Sequence, residues 1–425
     1  MWPWLLERLL GALIREGALV VHLPGGRTVR AGDPAAPPVV LRVADRRTLR
    51  RLVLNPDLAL GEAYTDGSLT IDGDDLHGLL RLATRAANVD GGPWPRRAVL
   101  GLRDALRRLA QRNPAARARA NVAHHYDLSA RLYELFLDAD RQYSCAYFPD
   151  PGVSLEEAQA AKKAHIARKL RIAPGQRVLD IGCGWGGMGL TLARDWGARV
   201  TGVTLSTEQH AVARARAAEA GLEGSAEFRL TDYRDVEERF DRIVSVGMFE
   251  HVGVPHYREY FRHVREKLAD DGVALIHTIG RSCPPGSTNP WLARYIFPGG
   301  YTPAMSEVIA AIEKEGLVVT DVEVLRLHYA ETLRHWYDRF MARIDEVRGI
   351  YDDRFCRMWR FYLVGCEMSF REGAQVVFQF QLARRDDAVP LTRDYLYPSG
   401  LQAEAGAGAE AGIGAAPPRH ATAAE

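Results

Sequence analysis

The segment Val178-Leu-Asp-Ile-Gly-Cys-Gly-Trp-Gly-Gly187 constrains the fold of this chain more than any other. Its apolar run ends at Asp180, and glycines at 182, 184, 186 and 187 then lead into an amphipathic stretch. That order predicts a buried strand, a tight turn and a helix, the opening unit of a nucleotide-binding α/β layer. Glycine serves where the backbone must take positive φ or let a ligand come close. The helix that follows offers unpaired N–H groups at its N-terminus. Such a turn leaves the ligand open. A dinucleotide would call for an acidic residue about 20 positions on, to hold the ribose hydroxyls; the second predicted strand instead ends at Thr204, with Ser206 beyond it. No Gly-Lys-Ser/Thr sequence closes the turn, so it is not a phosphate loop. S-adenosylmethionine, whose reactive part carries no phosphate, remains. Asp180, Gly182 and Gly184 can close over its amino-acid and ribose portions, and Asp232, at the end of the third strand, can accept a hydrogen bond from the adenine amine.

The rest of the chain is consistent with that layer. Strand-like runs at 177–181, 199–204, 226–230, 241–246, 272–279 and 317–324 alternate with helical segments, which predicts a doubly wound, mainly parallel sheet within 121–390. Residues 1–85 read as a small α+β unit with a short helix, alternating runs at 18–22 and 39–43, and a second amphipathic helix near 74–87. A Gly/Pro/Arg-rich connector spans 86–120, and 391–425, which ends in an Ala/Gly/Glu-rich run, is expected to be disordered. With 55 basic and 54 acidic residues, the net charge of +1 gives no footprint for nucleic acid. The connector is the exception: eight arginines between Arg96 and Arg119 meet one acid, Asp104, with Leu102, Leu106 and Leu109 at roughly helical spacing. This basic amphipathic segment suits an anionic membrane surface, or equally a solvated linker helix. The five cysteines lack disulfide or metal spacing and fit a reducing compartment. No run approaches the roughly 20 apolar residues a spanning helix needs. The expected location is therefore cytoplasmic, with peripheral association at the inner face of the plasma membrane. Trp2, Trp4 and the leucines of 5–13 read first as a core-facing helix and second as an interfacial anchor.

Five separated segments resemble the cyclopropane-fatty-acyl-phospholipid synthase family, which includes the mycolic acid cyclopropane synthases. They are Asn121…His125-Tyr-Asp127, Tyr143-Ser-Cys-Ala-Tyr-Phe148, the glycine turn, Gly247-Met-Phe-Glu-His-Val-Gly253 and Ile276-His-Thr-Ile-Gly280. Further matches are Pro290-Trp291…Tyr295-Ile-Phe-Pro298 and Trp336-Tyr-Asp-Arg-Phe340, and Leu58-Ala-Leu-Gly-Glu-Ala-Tyr64 extends the likeness toward the N-terminus. The chain departs from the family pattern after His-Tyr-Asp and at Phe148, where Trp is common.

The resemblance implies a Rossmann-like class I S-adenosylmethionine-dependent methyltransferase domain beside the small N-terminal α+β unit. It implies that Tyr143, Ser144, Gly182, Gly184, Thr204, Leu205, Gln209 and Tyr233 contact the methyl donor. The implied reaction joins a donor methylene to the cis double bond of an unsaturated phospholipid acyl chain. Methyl transfer leaves a carbocation, and ring closure then removes one proton, so the site needs a base, negative potential or π-faces, and dryness. By the same resemblance Glu250, His277, Cys145, Tyr337 and the backbone N–H of Ile279 form a pocket for bicarbonate, which takes that proton. A small anion needs such donors; Glu250 repels it unless it accepts the bicarbonate O–H or polarises His277. Cys366 matches a cysteine of the family pattern, but alkene methylation needs no covalent enzyme intermediate. Expected partners are unsaturated phospholipid acyl chains and an anionic membrane surface; a homodimer is one oligomeric state the sequence leaves open. Three other readings stay open: a fatty-acyl C-methyltransferase making methyl-branched or methylene chains, a silent lipid-binding protein on the same fold, and a methyltransferase acting on soluble molecules.

Overall fold

The computed structural model describes residues 1–87, 101 and 130–397. The arginine-rich segment 96–119, the Asn121…Asp127 motif and the tail 401–425 lie outside the described residues. The N-terminal part begins with α1 (Trp2–Leu13) and builds a four-stranded sheet from β1 (Ala18–His22), β2 (Thr28–Gly32), β3 (Pro38–Val43) and β4 (Leu69–Ile71), in the order β2-β1-β3-β4. Its helices are α2 (Arg46–Leu54), α3 (Pro56–Asp66) and α4 (Leu76–Ala87). The Asp45 side chain caps α2 by accepting from the Thr48 N–H, and Gly67, at φ 76°, closes α3.

The larger part starts with α5 (Ala130–Phe136) and α6 (Leu155–Lys169), the latter opened by a Ser154/Glu157 capping box. It continues through β5 (Arg177–Ile181), α7 (Gly187–Trp196), β6 (Arg199–Thr204), α8 (Thr207–Glu219), β7 (Ala226–Leu230), β8 (Phe240–Val246), α9 (Tyr257–Lys267) and β9 (Leu268–Arg281). Then come α10 (Pro290–Tyr295), α11 (Met305–Lys314), β10 (Val318–Leu325), α12 (His328–Ala342), α13 (Ile344–Ile350), α14 (Asp353–Arg371) and β11 (Gln375–Ala383). The seven strands order as β10-β11-β9-β8-β5-β6-β7. β7, β6, β5, β8 and β9 run parallel, while β11 is antiparallel to both β9 and β10.

All six expected strands of this layer are present. β11 is absent from the sequence-based set because it breaks the strand–helix alternation and carries glutamines at 375, 379 and 381; the last two are fully buried. The chain leaves β5 toward β6 and β7, then returns to β8 on the other side. That reversal opens a crevice at the carboxyl ends of β5, β6 and β8, the place where such sheets bind ligands. The first part of the segment expected to be disordered from 391 is packed: Asp394–Leu396 forms a helical turn, Leu396 is buried, Arg393 pairs with Asp321 and Tyr395 bonds Gln381. Two side-chain partners on the sheet hold this stretch, which composition alone does not reveal.

The two parts share one aromatic core. Phe136 meets Trp336, Phe340 and Trp359 at centroid separations of 6.0, 6.5 and 5.9 Å, while Tyr64 and Trp291 both pack on Phe361. Gly61 lets α3 approach Trp291, since a Cβ there would stand 2.5 Å from the indole ring. Arg354–Asp66 and Arg360–Asp74 pairs line the same seam. Half-exposed pairs contribute at most about 1 kcal/mol each, whereas each buried Trp or Phe contributes several on area alone. The aromatic core therefore dominates the docking.

Candidate active site

The crevice is a cavity whose wall contains all ten residues expected to contact the donor: Tyr143, Ser144, Asp180, Gly182, Gly184, Thr204, Leu205, Gln209, Asp232 and Tyr233. The glycine turn follows β5 at the floor. Gly182 has φ 79°, and a Cβ there would meet Met248 at 2.9 Å; Gly186 has φ 85° and no room beside Phe228. Asp180 is 2% exposed, and its Oδ2 has no hydrogen-bond partner among the described residues. Burial pushes its carboxyl up to about 7, against the opposing pull of the Lys162 ammonium and the Gly189 N–H. Thr204 donates to Gln209 Oε1 at 3.0 Å, and the Ser206 side chain caps α8 on the Gln209 N–H. Asp232 differs from expectation: both its carboxylate oxygens already meet Arg234, at 2.9 and 2.6 Å. Its strand-end position is as expected, but the arginine two residues on supplies a charge partner that the strand-end rule does not foresee.

The roof is an irregular strap, residues 138–148, between α5 and α6. Arg141 takes φ 57°, a left-handed conformation that costs a non-glycine residue about 1–2 kcal/mol, so other contacts hold the strap. Tyr143 stacks on Trp336 at 5.2 Å and shares a 2.7 Å hydroxyl–hydroxyl bond with Tyr362. Asp140 pairs with Lys163 and Arg216, while Gln142 and Ser144 accept from the buried Lys162 ammonium at 2.6 and 2.9 Å.

The residues expected around the proton acceptor are only partly brought together. Glu250 lies in a helical turn directly after β8, flanked by the cavity residues Met248 and His251. It is buried; its Oε1 accepts from the Ile279 N–H at 2.6 Å, and its Oε2 makes no hydrogen bond among the described residues. Burial raises its carboxyl to about 7, and the Ile279 N–H, its own backbone N–H and the Thr278 hydroxyl pull the other way. His277 stands on β9 opposite Val246 and Gln379, and its Nδ1 accepts from Gln379 Nε2 at 3.1 Å, which leaves the proton on Nε2. Burial, reinforced by the Lys162 and Lys169 charges, lowers it to about 3, so the ring is neutral. Cys145 is fully buried, points its thiol at the Ala146 carbonyl at 3.2 Å, and is held protonated by burial. Tyr337 belongs elsewhere: its hydroxyl accepts from Arg360 at 3.3 Å, and its ring packs edge-on against His77 of α4. It sits eight residues, just over two turns of α12, past Tyr329, whose buried ring meets Trp336 and Phe370. The aromatic motif lies on α12, with Tyr337 turned toward α4 and not toward the strap. Cys366 lies near the Tyr362 hydroxyl, and burial pushes its thiol up to about 12, so no nucleophile is available there. The sequence reading missed Gln142 and Lys162; nothing but proximity to the Tyr-Ser-Cys motif would have flagged the first, and the second stands in an ordinary-looking polar helix.

Residues 113–380 match the family model described as mycolic acid cyclopropane synthetase. The chain belongs to this family. It is 36% identical over 377 residues to a "Probable fatty acid methyltransferase" of Pseudomonas putida, covering 85% of this chain and 92% of that one. It is 39% identical over 334 residues to the cyclopropane-fatty-acyl-phospholipid synthase of Escherichia coli K12, covering 79% and 85%. Among solved structures, mycolic acid cyclopropane synthase CmaA1 complexed with SAH and CTAB is 34% identical with a TM-score of 0.60, over 64% of this chain and 99% of that one. This cyclopropane synthetase family member therefore has a class I S-adenosylmethionine-dependent methyltransferase fold and is a methyltransferase-type enzyme. Among the described residues no group of side chains could hold a metal ion, and no helix is long and apolar enough to cross a membrane.

Proposed function

We propose that the protein transfers a methylene unit from S-adenosylmethionine to the cis double bond of unsaturated phospholipid acyl chains. The observation that carries this reading is Glu250: a buried carboxyl with an unpartnered oxygen, beside a donor-sized cavity and an aromatic wall. The alkene π pair attacks the donor methyl carbon while the C–S bond breaks, leaving S-adenosylhomocysteine and a carbocation on the chain. One proton then leaves the transferred methyl, and the C–H electron pair closes the ring. Tyr143 supplies a π-face to the cavity, and Trp336 and Tyr362, packed behind it, hold it there and help exclude water during the cation's lifetime. The chain's residues fit a small anion in part. Glu250 Oε2 and the His277 N–H would hold bicarbonate, the first by accepting its O–H and the second by donating; Ile279 and Cys145 spend their donors on Glu250 and Ala146. Bicarbonate, when bound, would supply the base for that proton.

The alternative is methylation without ring closure, in which the cation, directly or after a hydride shift, loses a proton to leave a methyl-branched alkene or a methylene chain, in keeping with the name of the Pseudomonas relative. The test is incubation with S-adenosylmethionine and vesicles of a monounsaturated phospholipid, with and without bicarbonate. A product 14 mass units heavier than the substrate, resistant to hydrogenation and showing cyclopropane protons by NMR, is expected. A product that takes up hydrogen would favour the alternative, and activity only on soluble molecules would remove both readings.

Association with an anionic bilayer has a surface to match. α1 buries Leu6 and Leu13 and rests Trp2, Leu9 and Leu10 on the core, but leaves Trp4 51% and Met1 81% exposed. Leu54, on the adjoining α2, is 61% exposed. Arg8 stacks over Trp4 and Arg50 over Trp2, at 4.9 and 5.8 Å, and Arg46 and Arg47 extend the rim; Arg47 also feels the Asp45 carboxylate. Indole rings beside exposed arginines suit the interface of an anionic phospholipid bilayer. Trp4→Ser with Arg46→Ser and Arg50→Ser should lower sedimentation with phosphatidylglycerol vesicles by at least tenfold, at about 1 kcal/mol per arginine. Unchanged vesicle binding, or a shift only in oligomeric state, would assign this face to something other than lipid.

A further inference from the structure

Lys162 is a fully buried lysine behind the wall of the donor site. It lies in the middle of α6 with no solvent exposure. A long, charged side chain is rarely buried completely unless something at the end of it repays the desolvation. Here its ammonium donates to Gln142 Oε1 at 2.6 Å and to Ser144 Oγ at 2.9 Å. Both acceptors belong to the strap, and both line the donor cavity. Gln159, one helical turn earlier, adds a bond from its amide to the Ser144 carbonyl at 3.0 Å. The strap is therefore fastened to α6 from below at 142 and 144, while Tyr143, between them, turns the other way to Tyr362.

The same ammonium faces the chemistry from several sides. Asp138 and Asp140 of the strap raise its proton affinity, Lys163 lowers it, and burial lowers it most, to about 8. In turn its charge reaches Cys145 on the strap, Asp180 at the end of β5 and His277 on β9. Asp180 is the carboxyl on the cavity floor whose second oxygen lacks a partner. A cation behind it favours its ionised form, the form that pairs with the positively charged methyl donor.

We propose that Lys162 is a positioning residue for the methyl donor: it pins the strap over the cavity through Gln142 and Ser144, and its charge favours the ionised form of Asp180. This rests on the donor-site reading above. Both effects act in one direction, so removing the ammonium weakens donor binding twice over. The lysine touches no reacting atom, and the chemical step on bound donor depends on it less.

The experiment is calorimetric binding of S-adenosylmethionine, in the absence of acyl substrate, to wild type and Lys162→Met across pH 6–9, with steady-state kinetics on monounsaturated phospholipid vesicles. Methionine keeps the unbranched shape and removes the charge. The Kd and the donor KM should rise roughly 10–100-fold, as for loss of charge-assisted hydrogen bonds, with a much smaller change in kcat. The pH below which binding weakens should move upward from about 7, because Asp180 loses its nearby cation; a merely structural lysine would leave that midpoint in place. A second variant, Gln142→Leu with Ser144→Ala, keeps the lysine and should reproduce the loss of affinity without the full midpoint shift. Wild type that fails to bind removes the donor-site reading, and this inference with it. Wild type that binds, with both variants binding equally well, overturns the inference alone.

Discussion

Glu250→Gln is expected to lower turnover by about 10²–10⁴-fold, the range for loss of a positioned acid–base group, while leaving donor affinity unchanged. The amide keeps an oxygen for the Ile279 N–H, so the turn after β8 retains its anchor. What is lost is the carboxylate charge and the second oxygen, the one atom of this group that has no partner. Glu250 does not line the donor cavity, whereas its neighbours Met248 and His251 do, which is why kcat and not donor KM should respond. The pH dependence has a definite sign. Burial raises this carboxyl to about 7; below that value it is neutral, above it charged. Because only the charged form can accept the bicarbonate O–H, kcat at saturating donor is expected to rise as pH climbs through about 7 and to level off beyond. In the glutamine variant that limb disappears. Product formation by mass spectrometry, at saturating S-adenosylmethionine from pH 5.5 to 9, measures both. A glutamine variant turning over at the wild-type rate would remove Glu250 from the mechanism.

The donor half of this site was far more legible in the sequence than the proton-accepting half, for a physical reason. The proposed donor contacts sit at the ends of consecutive strands and in the turns after them, so the strand pattern brings Asp180, Gly182, Thr204 and Tyr233 to one rim, while the family resemblance is what marks Gly182, Thr204 and Tyr233 as contacts. Asp232 was placed by the same rule, and only its partner, Arg234, escaped notice, because short-range ion pairing is decided by rotamers. The second half draws on β8, β9, the strap and α12, four elements whose relative faces are fixed by packing. Tyr337 shows the consequence. The motif fixes the helix, but one side of α12 faces the strap and another faces α4, and residues eight apart in sequence, such as Tyr329 and Tyr337, meet different neighbours. Strand β11 escaped because its inward glutamines imitate an exposed edge strand; Gln379 and Gln381 are buried since each has a fixed partner, His277 for one and the Lys169 carbonyl for the other. Lys162 was invisible for a similar reason: α6 carries charged and small residues all round, so no apolar stripe marks its inner face.

Asp180→Asn is the second large effect, and it separates donor binding from chemistry. Asp180 is 2% exposed, holds one oxygen without a hydrogen-bond partner among the described residues and ionises only at about 7. Such a carboxyl is costly in the empty fold. Its folded value lies above the unfolded one, so it destabilises the donor-free protein progressively as pH rises from about 4 to about 7, and fully beyond that. A bound cation repays that cost. Donor affinity in wild type should therefore weaken as pH falls below about 7, by roughly tenfold per pH unit while the unbound carboxyl must first lose a proton. The asparagine variant has no proton to lose. Its S-adenosylmethionine Kd should be about 10–100-fold weaker than wild type at pH 8 and should not weaken further as pH falls below about 7, and its donor-free thermal midpoint at pH 8 should be higher than that of wild type. Higher stability together with weaker binding is the signature of a group kept under strain for its ligand. Calorimetric titration and thermal unfolding over the same pH series measure the two together. A variant that binds as tightly as wild type would show that the floor of the cavity recognises the donor by shape alone.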